Sequence, residues 1–300
     1  DRESLLHRLT TNEMRNLNAG GGVVNIFTNA KGRVVDVVEM FMEDGSIFML
    51  TTPGRAKQVK EWIEKYTFVE DVRCEDITSQ YGIIAFFGEE SVKLLRQSFG
   101  WEVENLPMQH ARPSAWEGKN IIVHRSGAIT PVQFNLIVPV AEMAKLWERA
   151  TAQATPLGYA AYEMLRIHHG QPAVGKEITE EYNPHEVGLY PYINFEKGCY
   201  IGQEVIARLD SYQKVQRQLM GVTLEVDEVS ALQTSADSAP IYLGEQLIGQ
   251  LTSACFSPER GQSIGLVVVR KQFAASTEPV QVRWPKRSVA GRLRSLPFTN

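Results

Sequence analysis

The sequence predicts an α+β protein, with antiparallel sheets and helices over its first two thirds and a small all-β module after them. Two patterns carry this. Up to about residue 150, short alternating apolar stretches recur as hairpins or strand-then-helix units, the organisation of α+β folds and not of a doubly wound parallel sheet. From about residue 215 the chain breaks into short apolar runs split by turn residues, which suggests a small barrel or sandwich. Neither GxGxxG nor GxxxxGK followed by Ser or Thr occurs, so dinucleotide and P-loop folds have no support.

Taken in order, Leu5 to Leu17 is expected to be a helix, with Thr10-Thr-Asn-Glu13 near its end. Val23 to Thr28 alternates as a strand, Asn29 to Gly32 is a turn with glycine last, and Arg33 to Met42 returns as the second strand of a hairpin. Glu43-Asp-Gly45 turns into a third strand, Ser46 to Thr51. Pro53, tolerated in a first helical turn, opens a helix to about Tyr66. Val72 to Thr78 and Gly82 to Phe87 are apolar enough to be strands, and Glu89 to Ser98 is a helix whose first acids suit its dipole. Gly100 to Gly118, with Pro107 and Pro113, reads as irregular. Strands follow at Asn120 to His124 and Val132 to Val138, then helices at Ala141 to Ala150 and Gly158 to His169. Residues 171–190 form a long connection of the functional or mobile kind. Strands of the β module are expected at Gln218 to Val226, Pro240 to Leu243, Leu247 to Cys255, Ser263 to Val269 and Val280 to Trp284. Lys286, Arg287, Arg292 and Arg294 read as a solvated basic tail.

A length of 300 residues suits two or three modules, and 43% hydrophobic with 22% charged residues is ordinary for a soluble globular chain. A net charge of −4 gives no electrostatic footprint for nucleic acid or an anionic membrane. No apolar run approaches the roughly 20 residues of a membrane helix. Cys74, Cys199 and Cys255 are dispersed and odd in number, which disfavours a disulfide framework or a CxxC metal site and suits a reducing cytoplasm.

Chemistry-bearing residues concentrate in one stretch, Asn194-Phe-Glu-Lys-Gly-Cys-Tyr-Ile-Gly-Gln-Glu-Val-Ile-Ala-Arg208. Gly198 and Gly202 bracket Cys199-Tyr200-Ile201, and Gln203 to Arg208 reads as one or two helical turns. A helix N-terminus ahead of Cys199 and the ammonium of Lys197 behind it would both favour a thiolate. The other reading is a small buried cysteine in a glycine turn. Asp36 lies in the apolar run Arg33-Val-Val-Asp-Val-Val38; either it faces solvent, or it lines a pocket as acceptor or base. His168 and His169 point about 100° apart on a helix, so they read as a basic cap and not as a metal pair. His185-Glu186 lacks the spacing of a zinc hydrolase. No metal ligand set is expected.

Lys197-Gly-Cys-Tyr-Ile-Gly-Gln-Glu204, with Ala207-Arg208, resembles the signature of the YgfZ family, folate-binding proteins related to the glycine cleavage T-protein and linked to iron–sulfur protein maturation. The likeness extends along the chain. Leu9 to Asn12, Asn29 to Asp36, Leu165 to Gly170 and Asn183 to Leu189 resemble T-protein segments, and so do Gly249 to Ser253, Phe256 to Pro258 and Ile264 to Leu266. Two positions depart from the T-protein pattern. Asp36-Val37 keeps only the first of two paired acids, and His168 stands where an acid is expected to bind the pterin.

The resemblance implies a folate-binding α+β portion in two subdomains, residues 1–50 with 120–214 and an inserted 51–119, followed by an antiparallel β-barrel at 215–300. It implies tetrahydrofolate or a one-carbon derivative as cofactor. Expected partners are iron–sulfur enzymes or cluster-assembly proteins, with no nucleic acid and no membrane. Cys199 and Asp36 are the implied catalytic residues, and Asn25, Asp36, Lys197, Tyr200, Gln203, Glu204 and Arg208 the implied folate contacts. Any turnover would be folate-dependent aminomethyl or methyl transfer; a non-enzymatic interaction scaffold is the further alternative.

Overall fold

In the computed structural model, which describes residues 1–43, 45–212, 214–225, 238–285 and 287–298, helix α1 (Arg2–Leu9) stops well short of Leu17. Thr10 turns to extended backbone, bridges Phe27, and donates its hydroxyl to the Leu6 carbonyl at 2.7 Å. Thr11 then exchanges hydrogen bonds with Ile26 through its N–H and hydroxyl. Pairing with the first strand therefore replaces the next helical turn.

The chain divides into two compact units, Asp1–Asn29 with Val35–Leu157 and Tyr192–Ile201, and Ala30–Val34 with Gly158–Pro191 and Gly202–Asn300. In the first unit, β1 (Gly22–Thr28), β2 (Val34–Glu43) and β3 (Ser46–Leu50) form a sheet in that order. Its core is Leu5, Leu9 and Met14 from the α1 region, Phe27, Val35, Val38 and Met40 from the sheet, and Val59 and Ile63 from α2 (Ala56–Lys65). A second sheet has the order β4 (Tyr81–Phe87), β7 (Gln133–Pro139), β6 (Lys119–Arg125), β5 (Ala111–Trp116). Helices α3 (Glu90–Phe99) and α4 (Met143–Thr151) contribute Leu95 and Leu146 to its core.

Two expectations fail here. Val72 to Thr78 is not a strand: Val72 and Cys74 pack on the first core, but Arg73 and Glu75 face solvent and, among the described residues, no strand pairs with the segment. Conversely, residues 111–116 are a strand, not irregular. Pro113 is tolerated because β5 lies at the sheet edge.

The second unit holds α5 (Tyr159–His168), the 171–190 connection, α6 (Gln203–Ser211) and a closed barrel. The barrel order is β10 (Gln246–Ser257), β11 (Gln262–Arg270), β8 (Arg217–Leu224), β13 (Arg287–Arg294), β12 (Val280–Trp284), β9 (Ala239–Leu243). Among the described residues its strands pair antiparallel, and Val222, Ile241, Ile248, Val267 and Val282 fill the interior. The basic residues Arg292 and Arg294 face solvent as expected, but they lie on a strand and not a tail: Val289, Gly291 and Leu293 are buried, and β13 closes the barrel between β8 and β12. Asp44, Val226 and Lys286, which entered the expected turn, strand and tail, lie outside the described residues.

A buried ionic knot fastens α5. Arg166, 2% exposed, donates to Glu163, to Glu177 at 3.0 Å, to the Gln171 carbonyl at 2.7 Å and to the Ser253 hydroxyl at 2.8 Å. Glu177 in turn accepts from Thr252 and Ser253, both on β10, at 2.6 Å. His168, at the end of α5, has Nε2 4.0 Å from Glu259 Oε2. No group of three or more metal-ligating side chains is found among the described residues.

Candidate functional site

Residues 192–201 run alongside the exit of α1 and are fastened to it throughout. Thr11 Oγ1 donates to the Tyr192 carbonyl at 2.7 Å, Asn194 N–H to the Thr11 carbonyl at 3.0 Å, and Ile201 N–H to the Arg8 carbonyl at 3.1 Å. Thr28 Oγ1 closes the end by donating to the Ile201 carbonyl. Between these bonds Lys197, 7% exposed, sends its ammonium inward to the carbonyls of His7 and Thr10 at 2.6 Å and of Asn12 at 2.9 Å. Its nitrogen also lies 5.1 Å from the Tyr200 ring centre. A helix ends in unpaired carbonyls, and here a lysine distant in sequence caps them. Burial draws the Lys197 amine down to about 7.

Lys197 thus serves as a cap for the exit of α1. Its three donor positions are used on backbone carbonyls and not on the Cys199 thiol. Cys199 itself is exposed, whereas Cys74 is half-buried and Cys255 is buried, its thiol pushed up to about 12. Tyr200 is buried with its phenol also raised to about 12 by desolvation.

On the hairpin, Asn25 and Asp36 are both 0% exposed. Asn25 shares the face of Val23 and Phe27, and its Oδ1 accepts the Asn12 N–H at 2.6 Å. Asp36 does not face solvent. Its Oδ2 accepts the Thr52 N–H at 3.1 Å, and burial pushes its carboxyl above the usual range. Asp36 Oδ1 and Asn25 Nδ2 are left as a buried acceptor and a buried donor without partners.

Gln203, Glu204 and Arg208 lie in the second unit on α6, which starts after Gly202 at φ +84. Glu204 and Arg208 are exposed, with Arg208 5.9 Å from the Tyr212 ring centre. The motif thus passes from one unit to the other at Ile201–Gly202.

The residue-by-residue reading missed Glu39. Its Oε2 accepts the Ser126 hydroxyl at 2.7 Å and lies 3.9 Å from His124 Nε2. Burial raises this carboxyl to about 7 and lowers His124 to about 4. The signal was available: Glu39, like Asp36, is an acid inside an apolar run, Val37-Val-Glu-Met-Phe41.

Set against known families, residues 1–197 match the GCVT N-terminal domain, and residues 217–300 match the glycine cleavage T-protein C-terminal barrel domain. A chloroplastic protein of Arabidopsis thaliana, named as a transferase, is 28% identical over 99% of this chain and 67% of its own length. An aminomethyltransferase of Rubrobacter xylanophilus is 27% identical over 99% of this chain and 78% of its own. The crystal structure of glycine cleavage system aminomethyltransferase T from Bartonella henselae superposes with a TM-score of 0.84 at 20% identity, covering 99% of this chain and 81% of that one. That last likeness speaks for the fold.

Proposed function

Since the chain belongs to the glycine cleavage T-protein family, we propose that it is a tetrahydrofolate-binding protein of the YgfZ kind that assists assembly or repair of iron–sulfur enzymes. The observation that carries this reading is the Lys197–Ile201 segment. It is pinned by backbone bonds at Ile201 and by a buried lysine at its start, yet it leaves the Cys199 thiol exposed. A rigid segment holding an accessible thiol suits exchange with a partner protein or a cluster, since only accessible thiols react. Its three free cysteines suit a reducing compartment, which we take to be the cytoplasm.

The folate fit rests on the hairpin. Buried polar atoms in native proteins are almost always partnered, and Asp36 Oδ1 and Asn25 Nδ2 are a matched acceptor and donor in want of one. A reduced pterin carries both ring donors and ring acceptors. Asp36 and Asn25 would hold it by hydrogen bonds, and the bound folate would supply one-carbon carrying capacity. Gln203, Glu204 and Arg208 enter only through the motif they share with Cys199.

The test is complementation of a deletion strain alongside folate titration. Cys199→Ala should bind tetrahydrofolate as the wild type does and leave the activity of iron–sulfur enzymes unrestored. Full restoration by Cys199→Ala would remove the thiol from the account. A second reading, folate-dependent aminomethyl or methyl transfer, is favoured by the aminomethyltransferase relatives and the buried Asp36. It requires a methylene- or methyl-tetrahydrofolate product from an amine donor. A protein that bound no reduced folate but still captured its partner would instead be an interaction scaffold.

A further inference from the structure

His124 on β6 and Gln109 just before β5 hold buried polar atoms without partners, and Glu39 of β2 lies beside the His124 ring and accepts from the Ser126 hydroxyl. His124 is 0% exposed, with neither ring nitrogen hydrogen-bonded, and Gln109 Oε1 is likewise buried without a partner. The His124 ring stacks on Phe41, centroids 5.1 Å apart and planes 25° from parallel. The Glu39 side chain keeps 15% exposure. Only one of its oxygens is engaged by Ser126. Each unpartnered buried group costs about 1–3 kcal/mol, and the His124 ring nitrogen 3.9 Å from the Glu39 carboxyl is one that an occupant would satisfy.

We propose that Glu39 is a specificity-determining residue for the folate, its carboxylate accepting the adjacent N3–H and 2-amino donors of the pterin ring; this rests on the folate reading above. A carboxylate is acceptor-only, and its two oxygens match two parallel N–H donors, which no neutral side chain can do. Glu39, like Asp36, has one carboxylate oxygen engaged by a hydrogen bond, Glu39 by the Ser126 hydroxyl and Asp36 by the Thr52 N–H. Glu39 also shares its strand with Asp36. Val35 and Val38 both join the core with α1 and α2, so the alternation of β2 slips once between them.

The groups that face Glu39 are Ser126, His124 and Tyr192, and none is a cation at neutral pH. Its carboxyl, raised to about 7, therefore exchanges its proton near neutrality. Two pterin donors favour the ionised form, so binding releases that proton and tightens as pH rises to about 7.

The experiment is calorimetric titration of tetrahydrofolate and of free tetrahydropterin into the wild type and Glu39→Gln, at about pH 6 and about pH 8. Glu39→Gln preserves volume and the bond to Ser126, and unfolding curves check that it folds. It should weaken both ligands roughly tenfold to a hundredfold at the higher pH and abolish the pH dependence. Ser126→Ala, which removes the donor to Oε2, should move the midpoint of that dependence upward. If the wild type binds and Glu39→Gln binds equally with the same pH dependence, Glu39 holds ordered water only and the inference falls while the folate reading stands. If the wild type binds neither ligand, the folate reading itself falls and takes this inference with it.

Discussion

Lys197 fixes the motif by an interaction that looks uneconomical for a single side chain. A buried ammonium is costly, and this one is offset by three backbone carbonyls at and just beyond the end of α1 that accept from it. Replacing it, as in Lys197→Met, should cost about 2–4 kcal/mol in denaturant unfolding, since all three acceptors are stranded together. A loss under half a kilocalorie would mean that water takes over the task. Glu39 makes the opposite expectation. Its folded pKa of about 7 lies above the ordinary glutamate value, so its contribution to stability is present at low pH and lost as pH rises through about 7. Glu39→Gln should therefore match the wild type near pH 5 and exceed it near pH 8 by about 1–3 kcal/mol, read from denaturation midpoints at both pH values. Equal stability at both would contradict the burial account. Sequence marked Asp36 as an anomaly but left its environment open, because a lone acid in a strand does not reveal which face is covered. The carbonyls that Lys197 caps lie some 185–190 residues away, beyond any local pattern.

Elements were legible where periodicity and turn chemistry agreed. The hairpin of β1 and β2, α2, α3 and most barrel strands fall within a few residues of their expected bounds. The failures share a cause: pairing partners are not encoded in the strand itself. Val72 to Thr78 has an extended pattern and no pairing strand among the described residues, whereas β5 and β13 carry proline or arginine and are strands because β6, β8 and β12 pair with them. Helix α5 depends on such a long-range tie, since Arg166 joins it to the 171–178 turn and to β10. Arg166→Leu would leave Glu177 a buried carboxylate deprived of its cation. It should destabilise the protein by about 3–5 kcal/mol in chemical denaturation, with Glu163 and Lys176 unable to compensate. A cost below 1 kcal/mol would show the knot to be replaceable.

At the scale of the whole molecule, the family match spans both units and no helix among the described residues is long and apolar enough to cross a membrane. The motif divides its duties along this architecture. Lys197 and Tyr200 anchor the segment in the first unit, Cys199 stays accessible, and Gln203 to Arg208 open a helix of the second. The unsatisfied atoms of Asn25, Asp36 and His124 all belong to the first unit, which is where ligand binding is expected. The most direct measurement is calorimetric titration of tetrahydrofolate into the wild type and Asp36→Ala under anaerobic, reducing conditions. The account expects binding in the micromolar range for the wild type, weakened by at least about tenfold in Asp36→Ala. No heat of binding from a correctly folded wild type would contradict it.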